Sequence, residues 1–184
     1  AIAGLGRLSV HNALAGAAAG IAGGLEADAI VEGLEAGWSA PHRGEMVRVG
    51  GLTLIDDAYN ASPGSVRAAL EALAGLPGRR IAVLGEMLEL GDASEAGHRE
   101  VGAAAAGVVD RLVVVGEGAA GIAEGALGAG LPPERLERAV DIEAAVSALV
   151  PDARPGDVIL VKASRGAALE RVIEGVRDAM AGVR

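Results

Sequence analysis

Leu112-Val113-Val114-Val115 contains no polar side chain, and Ile81–Leu84 and Val158–Val161 are runs of the same kind. Successive side chains of a strand point to opposite faces, so a strand that is apolar at every position has no face to offer to water. Such strands must be covered on both sides. Helical segments alternate with these runs along the chain, and strand–helix alternation with doubly buried strands predicts a parallel sheet with helices on both faces. Right-handed crossovers then give an α/β fold with a Rossmann-like, doubly wound layout, in which ligands lie at the carboxyl ends of the strands.

The elements follow from local signals. Val10 to Gly37 reads as helical, interrupted at Gly23-Gly24, with Asp28 as cap of a second helix over Ala29–Ala36. Pro41 breaks that pattern. Met46–Val49 and Leu52–Asp56 flank Gly50-Gly51, a hairpin signal. Ser62 and Pro63 open a helix to Leu73, and Arg80–Leu84 is a strand. Asp92-x-x-Glu95 predicts a capping box for a helix over Ser94–Ala106. Beyond it come a strand over Leu112–Val115, a helix from Ala119, a short strand over Leu136–Val140 and a helix over Ile142–Leu149. Val158–Val161 is the last strand and Arg165–Met180 the last helix. This organisation divides the chain into a helical segment over 1–40, a hinge over 41–45 and a Rossmann-like domain over 46–184. The first residues, Ala-Ile-Ala, are compatible with a piece of a longer protein.

Composition removes several function classes. A net charge of −9 with one Trp, one Tyr and no Phe gives nucleic acid neither electrostatic attraction nor stacking platforms. Without cysteine there are no disulfides or thiolate metal sites, and His11, His42 and His98 lie too far apart for a familiar ligand spacing, so no metal is expected to be held by this chain alone. No apolar run reaches the roughly 18 residues that span a bilayer, and the cytoplasm is the default compartment.

Four places at strand ends carry the polar chemistry. Asp56-Asp57-Ala58-Tyr59-Asn60-Ala61-Ser62-Pro63 sets two carboxylates and a helix start together, suited to a sugar hydroxyl or a metal-bound phosphate, or else a solvated turn with a cap. Lys162, the sole lysine, stands with Ser164 and Arg165 after the last strand and could hold a carboxylate or phosphate, or be a basic surface turn. Gly116-Glu117-Gly118-Ala119-Ala120-Gly121 imitates a dinucleotide fingerprint, with Asp141 about 20 residues on. It belongs to a late strand–helix unit, whereas that fingerprint marks the first, and among 29 glycines tight turn geometry is the better reading. Gly85–Gly91 supplies Glu86 and Glu89 but no generic catalytic spacing, and a structural loop is the simpler reading. Because Lys162 is followed by Ala163, the chain contains no G-x-x-x-x-G-K-[ST] phosphate loop.

Taken in order, five segments resemble the Mur ligases. Gly6 to Ala15 is similar to G-R-H-N-x-x-N-A-L-A, Pro41 to Met46 to a looser P-G-R-M, and Asp56 to Pro63 to D-D-S-Y-N-A-N-P. Gly85 to Gly91, with His98 to Gly102, resembles G-D-M-x-E-L-G followed by H-x-x-x-G, and Val161 to Arg165, with Glu170, resembles V-K-G-S-R with M-E. Within the family the pattern is nearest to the members that add D-alanyl-D-alanine to UDP-N-acetylmuramoyl-tripeptide in peptidoglycan synthesis. The resemblance implies three domains, of which this chain holds the tail of the central ATPase domain and all of the third. It implies ATP-dependent amide formation through an acyl phosphate, with ATP and Mg as cofactors, most of whose contacts belong to the missing part. The chain alone is then an inactive fragment, cytoplasmic and monomeric, with no nucleic-acid or membrane partner.

By motif match Asn12 contacts adenine, Arg43 and Asp57 the ribose or phosphate side of ATP, and Tyr59 and Asn60 lie near the reacting groups. Lys162, Ser164 and Arg165 lie near the incoming dipeptide. Four departures stand out: Leu8-Ser9 in place of His-Asn, Ser62 for Asn, Ala163 for Gly and Glu86 for Asp. The alternatives to a ligase fragment are an NAD-type domain using Gly116, Gly118, Gly121 and Asp141, and a non-catalytic binding domain of the same fold.

Overall fold

The structure, a computed structural model, describes residues 6–37 and 41–182, with side chains described from Ser9 onward. The first five residues, residues 38–40 with Trp38, the last two residues and the Leu8 side chain lie outside the described residues.

Two helices come first, α1 (Gly6–Ala22) and α2 (Ala27–Ala36). A six-stranded sheet follows: β1 (Glu45–Val49), β2 (Leu52–Asp56), β3 (Arg80–Gly85), β4 (Arg111–Val115), β5 (Leu136–Ala139) and β6 (Val158–Lys162). Its spatial order is β1-β2-β6-β3-β4-β5; only the β1–β2 pair is antiparallel. Helices α3 (Pro63–Ala74), α4 (Ser94–Ala106), α5 (Ala120–Gly128), α6 (Ile142–Leu149) and α7 (Glu170–Ala181) connect and cover it.

The unbroken apolar runs are buried on both faces, as their composition requires. Ala82, Leu84, Leu112, Val114 and Leu160 pack with residues of α3, α4 and α5 such as Leu70, Leu73, Val101 and Ile122. Their neighbours Ile81, Val83, Val113, Ile159 and Val161 point the other way and pack with α6 and α7 through Leu149, Val172, Ile173 and Val176. Each large side chain so covered contributes about 1.5–3 kcal/mol.

Turn chemistry matches the sequence at two boundaries. Gly50 and Gly51 both have positive φ (57° and 81°), the conformation a two-residue hairpin needs and one that glycine adopts without strain. Ser62 caps α3: its hydroxyl accepts from Ser65 N while the Ser65 hydroxyl accepts from Ser62 N, with Pro63 at the first helical position.

Three boundaries differ from expectation. Asp28 lies in the first turn of α2, behind the extended residue Glu26, where its charge complements the helix dipole without capping. Asp92 forms no capping box, because a 3-10 turn over Gly91–Ala93 feeds α4 and Ala93 is already helical, leaving no extended cap residue. The last helix begins at Glu170; Arg165–Ala167 form a separate 3-10 turn, ended by Ala168 in the left-handed region.

A core without Phe lets elements approach closely. A Cβ on Gly102 of α4 would overlap the carbonyl oxygen of Ile122 in α5, and one on Gly125 would overlap that of Arg99. The two helices therefore pack backbone against backbone.

Candidate functional site

The carboxyl ends of β2 and β6 lie side by side, with Asp56 in register with Val161. The next residue of each strand therefore meets across the pair. Asp57 N donates to Val161 O at 3.0 Å, and Lys162 Nζ lies 2.6 Å from Asp57 Oδ2. The same ammonium donates to Asn60 O at 2.9 Å and Asp57 O at 3.4 Å, so its three hydrogens face three acceptors. Lys162 is 3% exposed and Asp57 24%. Burial pushes the Asp57 carboxyl above its ordinary value, with Lys162 and then Arg43 acting in the opposite direction.

The adjacent carboxylate is used differently. Asp56 is buried, and its Oδ2 lies 2.8 Å from His42 Nδ1 while Oδ1 accepts from Ala58 N at 3.3 Å. The hydrogen bond to Asp56 raises the His42 pKa above its usual value, against the effect of desolvation. The His42 carbonyl accepts from Tyr59 N at 3.0 Å, and the Arg43 guanidinium lies over the Tyr59 ring, 4.1 Å from its centroid. Asn60 Oδ1 accepts from Ala61 N.

Five of the residues matched to nucleotide or catalytic roles, Asn12, Arg43, Asp57, Tyr59 and Asn60, line one cleft of about 300 Å³. Ser9 and Asn12 of α1 form one wall, and Lys162 reaches the cleft from β6. The cleft offers an exposed cation on an aromatic face, a partly exposed carboxylate and an amide, a donor and acceptor set suited to a ribose and an anionic group.

The three residues matched to the acceptor side separate. Ser164 is buried, and its hydroxyl accepts from Leu88 N at 2.9 Å and faces Ala61 O at 3.4 Å. Arg165 is exposed and pairs with Glu170 Oε1 at 3.1 Å. Of Lys162, Ser164 and Arg165, only Arg165 presents its charge to solvent. Ala163 lies outside the left-handed region, so replacing the family's glycine carries no backbone strain there. Ser62 takes over the cap described above.

His98 was visible in the sequence but without a role. Its Nε2 accepts from Met87 N at 2.9 Å and its Nδ1 lies 2.7 Å from Ser94 O, which assigns the proton to Nδ1. Together, His98 and Ser164 anchor successive amides of the loop after β3. The signal that could have suggested this was Ser94 and His98 at i, i+4 on a helix beside that loop.

The dinucleotide alternative is corrected by packing. A Cβ on Gly118 would run into the Glu86 carboxylate, and one on Gly121 would meet His98 Cβ at 3.0 Å. Gly118 and Gly121 are filled against their own fold instead of cradling a phosphate, and Gly116 serves the turn after β4 with φ 85°. Asp141 caps α6 by accepting from Ala144 N at 2.8 Å. Among the described residues, no group of three or more His, Asp or Glu is placed to hold a metal ion, and no helix is long and apolar enough to cross a membrane.

A polar cleft at the carboxyl ends of parallel strands, walled on one side by α1, sits where α/β domains of this layout bind their ligands. The chain belongs to the Mur ligase family: the family model described as Mur ligase, glutamate ligase domain, matches residues 42–165. It is 38% identical over 174 residues to the UDP-N-acetylmuramoyl-tripeptide–D-alanyl-D-alanine ligase of Bacillus subtilis (strain 168), covering 92% of this chain and 38% of that protein. The crystal structure of a MurF ligase from Thermotoga maritima in complex with ADP superposes with a TM-score of 0.84 at 28% identity, covering 98% of this chain and 40% of that one. Mycobacterium tuberculosis folylpolyglutamate synthase complexed with ADP gives 0.68 at 26% identity, over 96% and 42%. The chain thus spans about two fifths of the length of the proteins it matches.

Proposed function

We propose that this chain is the carboxy-terminal part of an ATP-dependent ligase that joins D-alanyl-D-alanine to UDP-N-acetylmuramoyl-tripeptide in peptidoglycan synthesis. The observation that carries the reading is the single cleft that gathers Asn12, Arg43, Asp57, Tyr59 and Asn60 beside Lys162. The relatives' names and the ADP in two of the matched structures support it.

In this reading residues 1–40 are the tail of the preceding domain, 41–45 the hinge and 46–184 the terminal domain. Bound ATP supplies the phosphoryl group that activates a carboxylate for attack by an amine. Asn12 contacts adenine. Arg43 and Asp57 hold the ribose or phosphate side. Tyr59 and Asn60 lie near the reacting groups. Lys162 fixes Asp57 and the Asn60 carbonyl, so the loop keeps its shape when charge accumulates beside it. Arg165, exposed beyond β6, meets the dipeptide carboxylate. The donor set here does not fit a magnesium ion, which falls to the part of the enzyme carrying the phosphate loop. Val10, Leu14 and Ile21 of α1 are exposed and suit a face packed against that part. The enzyme acts as a cytoplasmic monomer.

The test is an ADP titration of the chain followed by amide NMR. Shifts should centre on Asn12, Arg43, Asp57, Tyr59 and Asn60 and weaken in Arg43→Ala, and ATP supplied in a separate assay should not be hydrolysed. Shifts centred on Gly116–Gly121, or none at millimolar ADP, would overturn the reading.

A further inference from the structure

Among the polar clusters, Arg79, Arg111 and Arg154 at the amino end of the sheet all pair with Asp152, Arg111 also facing Glu137, and the Glu86 carboxylate is packed over Gly118. The pair formed by His42 and Asp56 goes further. His42 has φ 60°, a left-handed conformation that a residue with a Cβ disfavours. A backbone outlier beside a ligand cleft needs something to hold it.

Two contacts do so. The ring donates from Nδ1 to the buried Asp56 carboxylate at 2.8 Å, and the His42 carbonyl accepts from Tyr59 N at 3.0 Å. Asp56 is fixed in turn by the end of β2 and by Ala58 N. The segment carrying Arg43 is therefore pinned, one residue before Arg43, to the segment carrying Tyr59. The consequence is the stacked geometry, with the Arg43 guanidinium 4.1 Å from the Tyr59 ring centroid.

We propose that His42 and Asp56 are positioning residues that set the Arg43–Tyr59 platform for an adenine nucleotide. The inference rests on the functional reading above for the identity of the ligand, but the platform itself is a property of this chain. Neither residue touches the ligand; they act through the backbone of 42–44 and 56–59.

Gly and Asn both tolerate the left-handed region, so His42→Gly and His42→Asn keep the backbone while differing in one respect. Only Asn retains an N–H donor near the position of Nδ1. Tyr59 is the sole tyrosine, so the upfield ring-current shift of the Arg43 side-chain protons reports the stack directly. The expected result is that His42→Asn keeps this shift and binds ADP like the parent chain. His42→Gly should lose the shift and bind about fivefold more weakly, the effect of one net hydrogen bond. Should the Gly variant fail to fold, Asp56→Ala removes the acceptor with His42 intact and is expected to lose the shift in the same way. Retention of the shift without the donor or acceptor overturns the proposal, as does loss of the shift with unchanged ADP affinity. If no form of the chain binds ADP, the functional reading falls, and the ring-current comparison still decides whether the pair sets the platform.

Discussion

Replacing Lys162 by Met tests whether Asp57 is held in place by a charge. At 2.6 Å, with an effective dielectric constant of about 20, the gross attraction between the two groups is about 6 kcal/mol. Taking the ammonium out of water offsets much of this, so the pair as a whole contributes little relative to two apolar groups. Breaking it is different, because Asp57 is left behind. A fully buried orphan costs about 3–5 kcal/mol. Asp57 is 24% exposed and can take up a proton, so the expected loss at pH 7 is about 2–3 kcal/mol, or about 5–10 °C in Tm for a chain of this size.

The pH dependence has a definite sign. A carboxyl whose folded pKa is raised contributes stability that is fully present below its unfolded value of 3.8 and is lost as pH rises through the folded pKa. Lys162 limits that shift, so its removal should make stability fall more steeply between about pH 4 and pH 7. Urea denaturation at both pH values, in the parent chain, Lys162→Met, Asp57→Asn and the double variant, measures the coupling. A coupling energy of about 2 kcal/mol is expected at pH 7. Equal costs of Lys162→Met with and without Asp57, unchanged between the two pH values, would refute the reasoning.

Gly102→Ala should destabilise the chain by about 2 kcal/mol or more despite the better helix propensity of alanine, because its Cβ would overlap Ile122 O and come within 2.8 Å of Ala126 N. Gly64→Ala, with nothing within 4 Å, should stay within about 0.5 kcal/mol of the parent; equal Tm values for the two variants contradict the close-packing argument. His42 should titrate above its ordinary 6.5 by NMR, because the Asp56 hydrogen bond outweighs desolvation and the nearby Arg165, with Glu170 assisting. Its stabilisation is fully present below 6.5 and is lost as pH rises through the folded value, and a midpoint at or below 6.5 rules the pair out. Ser164→Ala should cost about 1–2 kcal/mol and speed amide exchange at Leu88 while Met87, held by His98, stays protected. Unchanged exchange at Leu88 would remove Ser164 as the anchor.

The sheet was legible because burial on both faces leaves no polar residue in Leu112–Val115 or Val158–Val161, and the hairpin and α3 announced themselves through Gly50-Gly51 and Ser62-Pro63. What sequence could not show was how neighbouring residues divide. Asp56 and Asp57 read as one acidic pair, yet one serves His42 and the other a lysine 105 positions away. Local propensity also ran a helix through Arg165–Leu169, where Ala168 turns left-handed. The motif around Lys162 gave identities without directions, so the inward-facing Ser164 hydroxyl and the outward-facing Arg165 looked alike. Glycine spacing suggested a cofactor at Gly116–Gly121 because the pattern is the same whether a phosphate or Glu86 occupies the space.

The end of β6 carries one more implication. Lys162 grips the segment after β2 through Asp57 and Asn60, and Ser164 grips the loop after β3 through Leu88. Two loops distant in sequence therefore share a mooring three residues long. Were ligands to settle on both loops, whatever factor one exerted on the affinity of the other would be returned in equal measure. Order of arrival at such a site can alter rates, but the affinity gained by the second visitor is the same whichever comes first.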